Sequence, residues 1–131
     1  MFVDASAAIA ILGGEDDGPD LAVRLERAEV VLVSPVALYE MVAGLARRRA
    51  CPIEEAQELV DLFVNEVGAE IVPITEEIGR RAVEAFARFG KGRHKADLNM
   101  GDCFAYAVAD VHKVALLFKG NDFIHTDVVI A

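Results

Sequence analysis

The stretch Leu98-Asn99-Met100-Gly101-Asp102-Cys103-Phe104-Ala105-Tyr106-Ala107-Val108-Ala109-Asp110 decides how this chain is read. Asn99 stands where a helix cap belongs, and a carboxylate follows three positions on at Asp102. The residues after it are apolar on nearly every side, which predicts a helix buried all round rather than along one face. An acid in its first turn then lies at the edge of a dry core, where charge is costly without a partner. Alone, Asp102 would only complete the cap and complement the helix dipole. It becomes chemically interesting if other acids reach the same place.

Outward from this helix, short apolar runs alternate with helical ones. Met1-Phe2-Val3-Asp4 is a buried strand that ends on Asp4 and feeds a helix through Ser6 and the AAIAIL segment. Gly13-Gly14 and the acidic EDDGPD loop stop it, and Asp20 to Ala28 has helical spacing. Val30–Val33 is a second strand, and Ser34-Pro35 caps and opens a helix to about Arg49 that carries Glu40 in an apolar setting. Pro52 opens an amphipathic helix, Glu70–Pro73 is a third strand, and Thr75 caps a helix reaching Phe89. The basic loop Gly90–Lys95 lacks the spacing of a phosphate-binding P-loop. Val114–Phe118 is a fourth strand, Lys119–Phe123 a turn at its end, and Val128–Ile130 a last edge strand.

This alternation predicts an α/β fold, a three-layer α/β/α sandwich around a mostly parallel sheet. At 131 residues the chain suits one domain spanning 1–131. Its net charge of −9 argues against broad electrostatic affinity for nucleic acid. It does not exclude a nuclease, because carboxylates gathered around a metal contribute to that count. Cys51 and Cys103 form no metal-binding spacing, and a reduced, cytoplasmic setting is expected. No apolar run is long enough to cross a membrane, and the amino-terminal run lacks the basic flank of a signal peptide.

In parallel α/β sheets ligands sit beyond the carboxyl ends of the strands, where the strand order reverses. Asp4 and Asp122 follow strands, Asp102 begins a helix on that edge, and Glu40 can lean back into the same cleft. Four acids there would repel and hold protons. A hard divalent cation resolves the conflict, and Mg²⁺ takes one or two carboxylates and keeps several waters. Arg47, Arg48 and Arg49 end a helix where cations suit the dipole; a solvated turn or a phosphate-contacting rim both fit them. No histidine (His94, His112, His125) has an obvious catalytic partner by spacing.

Val3-Asp4-Ala5-Ser6, Tyr39-Glu40-Met41, the Asn99–Ala107 run and Leu116–Phe123 with Thr126-Asp127 together resemble PIN-domain proteins of the VapC toxin type, along essentially the whole chain. The resemblance implies a PIN-like fold and an Mg²⁺-dependent endoribonuclease, with Mn²⁺ as a substitute ion. It implies a toxin held by a small DNA-binding antitoxin, and a homodimer. Asp4 and Asp102 would be the principal metal ligands, with Glu40 and Asp122 completing the catalytic acids. Ser6 would support from behind. Many PIN domains carry their last acid at the position of Gly120 here, so Asp122, or Asn121 as a neutral stand-in, must supply that group. Asp127 could be an outer partner or a surface turn acid. Water would attack the phosphodiester in line, leaving 5′-phosphate and 3′-hydroxyl ends. Arg47, Arg48, Lys91 and Arg93, with Arg49 and Lys95, are candidates for RNA backbone contacts. Two rival readings are a PIN fold that only binds a partner and a response-regulator-like phosphoacceptor domain. The second lacks the paired acids it needs after the first strand.

Overall fold

Phe2, Val3, Val33, Leu116 and Leu117 are fully enclosed, as parallel strands covered on both faces must be. In the computed structural model, which describes residues 1–131, they belong to very short strands: β1 (Phe2–Val3), β2 (Leu32–Val33) and β4 (Leu116–Leu117). β3 (Glu70–Ile71) is the exposed edge. All pairings are parallel, in the order β3-β2-β1-β4.

Six helices cover this sheet: α1 (Ala5–Leu12), α2 (Gly18–Glu26), α3 (Pro35–Arg49), α4 (Ile53–Glu66), α5 (Glu76–Phe89) and α6 (Met100–His112). Their starts follow cap chemistry. The Ser34 hydroxyl accepts from Ala37 N–H at 3.1 Å, and Thr75 from Ile78 N–H at 3.2 Å. α6 is buried along most of its length, as its composition predicts. With the right-handed crossovers that parallel sheets adopt, this strand order assigns α1 to α4 to one face of the sheet and α5 and α6, which pack closely together, to the other.

The chain winds from β1 through β2 to β3 in one direction, then returns to lay β4 on the other side of β1. The strand order therefore reverses between β1 and β4, which opens a crevice beyond their carboxyl ends. Asp4 leaves β1 at that point, and the segment carrying Asp122 follows β4.

Some boundaries differ from the sequence reading. The second strand pairs only from Leu32, since Val30 is turned to solvent. α2 starts at Gly18, with Pro19 in the first turn where its missing N–H costs nothing. The expected edge strand at 128–130 is reduced to one bridge between Ile130 and Leu116, with Val129 and Ile130 exposed.

Candidate active site

Asp4 is fixed from two directions. Its backbone N–H donates to Leu117 O at 2.9 Å, continuing the β1–β4 pairing to the end of the sheet. Its side chain caps α1: Oδ2 accepts from Ser6 N–H at 3.0 Å and from the Ser6 hydroxyl at 2.5 Å. Ser6 Oγ in turn accepts from Lys119 N–H at 3.0 Å, which ties the exit of β4 to the start of α1.

Asp102 is placed by a reciprocal cap. Its N–H donates to Asn99 Oδ1 at 2.9 Å, and Asn99 N–H donates to Asp102 Oδ2 at 3.1 Å. Glu40 reaches the same mouth from the second turn of α3. Its carboxylate lies directly on the backbone of Gly101, where any Cβ would overlap it. Gly101 is thus the seat of the Glu40 carboxylate, a contact that the sequence reading passed over. The available signal was a glycine, poor for helices, in the first turn of a helix otherwise built from good core residues.

The electrostatics follow from burial without compensation. Asp4 is 5% exposed and its carboxyl is held above the usual range, first by desolvation and then, against its Ser6 hydrogen bonds, by the charge of Asp122. Burial pushes Glu40 up to about 7, with the charges of Asp4 and Asp102 adding to it. Burial likewise pushes Asp102 up to about 7, opposed by its Asn99 hydrogen bond and reinforced by Asp4 and Asp122. The four acids therefore share one field. None of them has a basic partner. The Lys119 ammonium is turned away to Glu15 at 2.5 Å and Asp17 at 3.3 Å.

The remaining candidates are spread more widely. Asp122 and Asn121 are exposed on the irregular segment after β4, and Asn121 makes no hydrogen bond to the acids. Asp127 is engaged elsewhere, by the Tyr106 hydroxyl at 2.6 Å and Arg88 at 3.1 Å. Arg47 is exposed on α3 seven residues after Glu40, about 10 Å along the same helical stripe. Arg48 lies over Gly13 and faces the 14–17 loop. Lys91 and Arg93 are exposed in the loop before α6, with Arg93 over the Phe86 ring at 5.4 Å. His112 and His125 are exposed, and Cys103 is a buried thiol pushed up to about 11 by burial beside Asp102.

A divalent cation suits this donor set, because hard oxygen ligands with no counter-charge are what such an ion needs. No three of these side chains converge as ready-made direct ligands. An ion bound here would be held directly by only one or two carboxylates and would keep much of its water shell. The better-formed concavities lie elsewhere, between α6 and the carboxyl-terminal segment and in the α1–α2–α4 groove.

Comparison with known proteins adds the family. Residues 1–129 match the PIN domain model. A VapC ribonuclease of Rhizobium meliloti is 44% identical over 96% of this chain and 97% of its own length. Ribonuclease VapC28 of Mycobacterium tuberculosis is 42% identical over 98% of this chain and 95% of its own. Among solved structures, VapC20 of Mycobacterium tuberculosis, described as a sarcin–ricin loop cleaving toxin, superimposes with a TM-score of 0.77 at 22% identity, covering 99% of this chain and 97% of that one. VapBC2 from Rickettsia felis, bound to a promoter DNA fragment, superimposes with a TM-score of 0.73 at 15% identity over 98% of this chain and 94% of the other. With a family match along almost its full length and relatives above 40% identity, this chain belongs to the PIN domain family, in its VapC branch.

Proposed function

We propose that this chain is a divalent-metal-dependent endoribonuclease and the toxin of a toxin–antitoxin pair. The observation that carries the proposal is the set Asp4, Glu40 and Asp102: three acids withdrawn from water, without a cation, at the strand-order reversal. The naming of its relatives as VapC ribonucleases supports RNA as the substrate. Asp4 and Asp102 would hold Mg²⁺, or Mn²⁺ in its place, with Glu40 and Asp122 completing the negative field. When bound, the cation lowers the pKa of a water and offsets charge on the phosphate oxygens.

The chain's own groups do the rest. Ser6 keeps the Asp4 carboxylate oriented, and the Asn99 cap keeps Asp102 at the mouth. Glu40, raised to about 7, is suited to take a proton from an attacking water near neutral pH. Arg47, Arg48, Lys91 and Arg93 carry no carboxylate partner and are free to meet phosphates, whereas base contacts would have to select the sequence. Cleavage leaves 5′-phosphate and 3′-hydroxyl ends.

Two apolar surfaces fit the partners. Val83, Phe86 and Met100 are exposed together on α5 and α6, with Phe104 beside them, and suit a second copy of the chain. The 490 Å³ groove lined by Ile11, Leu25, Phe63 and Val67 is rimmed by Glu26 and Glu66, which suits a basic amphipathic helix of an antitoxin. No helix is long and apolar enough to cross a membrane.

Purified protein incubated with RNA tests the enzymatic reading. Cleavage that needs Mg²⁺ or Mn²⁺, stops with chelator and is abolished by Asp4→Ala supports it. RNA left intact by the wild-type protein at millimolar Mg²⁺ and Mn²⁺ leaves only a silent PIN-fold binding module.

A further inference from the structure

The loop between α5 and α6 combines an ordered backbone with uncommitted charge. Lys91 N–H donates to Leu98 O at 2.9 Å, and Leu98 N–H to Phe89 O at 3.0 Å, which closes the base of the loop. Arg93 and His94 N–H both donate to Gly90 O, and Asp97 N–H donates to His94 O at 3.0 Å. Gly92 N–H reaches Asp97 Oδ1 at 3.3 Å. The chain reverses at Gly92 (φ +77°) and Asp97 (φ +54°), both in the left-handed region. Only Lys95 N–H, between Lys91 and Leu98, lacks a protein acceptor.

His94 stands at the centre of this arrangement. Its Nδ1 accepts Ala96 N–H at 3.1 Å, which requires the tautomer with its proton on Nε2. Its ring meets Phe89 edge-on, with centroids 5.3 Å apart. Around this half-buried ring, Lys91, Arg93 and Lys95 are all exposed, with Arg93 lying over the Phe86 ring. In a chain with 22 acidic and 13 basic residues, three cations within five positions have no acidic partner. The loop then runs into Asn99, whose N–H is held by Asp102, so its shape is tied to the acidic mouth.

We propose that His94 is a positioning residue for the RNA backbone: through its bond to Ala96 N–H and its contact with Phe89, it holds the 91–97 loop in the shape that presents its cations to phosphates beside Asp102. This inference rests on the RNA-cleaving reading. It adds that the number of phosphate contacts is set by a residue that makes none.

The test is the salt dependence of single-stranded RNA binding, measured at one fixed pH for every variant. Every protein carries Asp4→Asn, so that the RNA survives; the amide can still cap α1. Each phosphate contact contributes about 0.7 to the slope of log affinity against log salt for a single strand. Arg93→Ala should lower the slope by about that much through loss of a charge. His94→Ala leaves Lys91, Arg93 and Lys95 in place, yet should lower it by about 0.7 or more and weaken binding several-fold. His94→Asn, whose amide oxygen can accept Ala96 N–H in place of Nδ1, should restore the slope.

A wild-type slope in His94→Ala or in Arg93→Ala overturns the proposal, as does failure of a folded His94→Asn to restore it. If any of these occurs while the protein without Asp4→Asn still cleaves RNA with Mg²⁺, the positioning role alone falls. If that protein neither binds nor cleaves RNA, the nuclease reading falls with it.

Discussion

At the first turn of α6, Asp102 faces Asp4, Glu40 and Asp122 with no cation near, and its carboxyl is pushed up to about 7. At the last turns of the same helix, Asp110 takes Arg81 Nε at 2.6 Å. Beside it Tyr106 donates its hydroxyl to Asp127 at 2.6 Å, and Arg88 reaches Asp127 at 3.1 Å. That hydrogen bond, followed by the Arg88 charge, holds Asp127 below its ordinary value, while burial pushes the Tyr106 phenol up to about 12. One end of the helix has acids that want protons or a cation. The other has acids already satisfied. The contrast is between uncompensated buried acids, which are costly to keep and which the proposed chemistry would use, and paired acids that serve stability.

The largest effects belong at the unsatisfied end. Asp102→Asn should reduce Mg²⁺-dependent RNA cleavage on the order of 10³-fold or more, because a ligand oxygen and its charge are lost together. The same change should stabilise the metal-free protein. Asp102 and Glu40 have folded pKa values raised to about 7 above ordinary carboxyl values, so in the window from about 4 to about 7 the folded state binds protons that the unfolded chain has released. Stability therefore falls as pH rises through that window. At about pH 8, metal-free Asp102→Asn should melt about 3–8 °C above wild type. Mg²⁺ well above its dissociation constant should raise wild-type melting by about 5–10 °C, and by less at about pH 5.5, where protons compete. A wild-type melting curve indifferent to both Mg²⁺ and Asp102→Asn would place this end in the same class as the other.

An intermediate effect is expected where Glu40 meets Gly101. Alanine normally favours a helix by about 1 kcal/mol over glycine. Here its methyl would overlap the Glu40 carboxylate and push it out of the mouth. Gly101→Ala should therefore cost roughly 10²-fold in cleavage rate through misplacement, with little change in far-UV circular dichroism. Full activity in this variant would mean that Glu40 does not act from the position it holds.

The difference in legibility follows the same division. Asp4 and Asp102 were readable because each is fixed by a local device, an acid at the end of an apolar run or three residues beyond an Asn cap. The parallel α/β architecture was readable from alternating runs, although pairing stops at two residues per strand, a length that periodicity does not encode. Glu40 could be suspected from its apolar neighbours, but its seat on Gly101 depends on α3 meeting α6 across 61 positions of sequence. Asp127 was open between a supporting role and a surface turn. Its actual partners, Tyr106 and Arg88, lie 21 and 39 residues away, at distances no local pattern reports.

The smallest effect is expected at the satisfied end. Tyr106→Phe leaves the buried ring in place and removes only the hydroxyl that Asp127 accepts, so it should destabilise by about 1 kcal/mol, read as a lower urea midpoint with an unchanged m-value. Its pH signature should oppose that of Asp102. Asp127 has a depressed folded pKa, so its contribution is present above the ordinary carboxyl value and is lost as pH falls through the folded one. The deficit of Tyr106→Phe should be full at neutral pH and shrink below about pH 4, with cleavage unchanged throughout the neutral range. A cleavage defect in this variant would mean that the two ends of α6 are coupled, and that the paired acids also help to hold the unpaired ones in register.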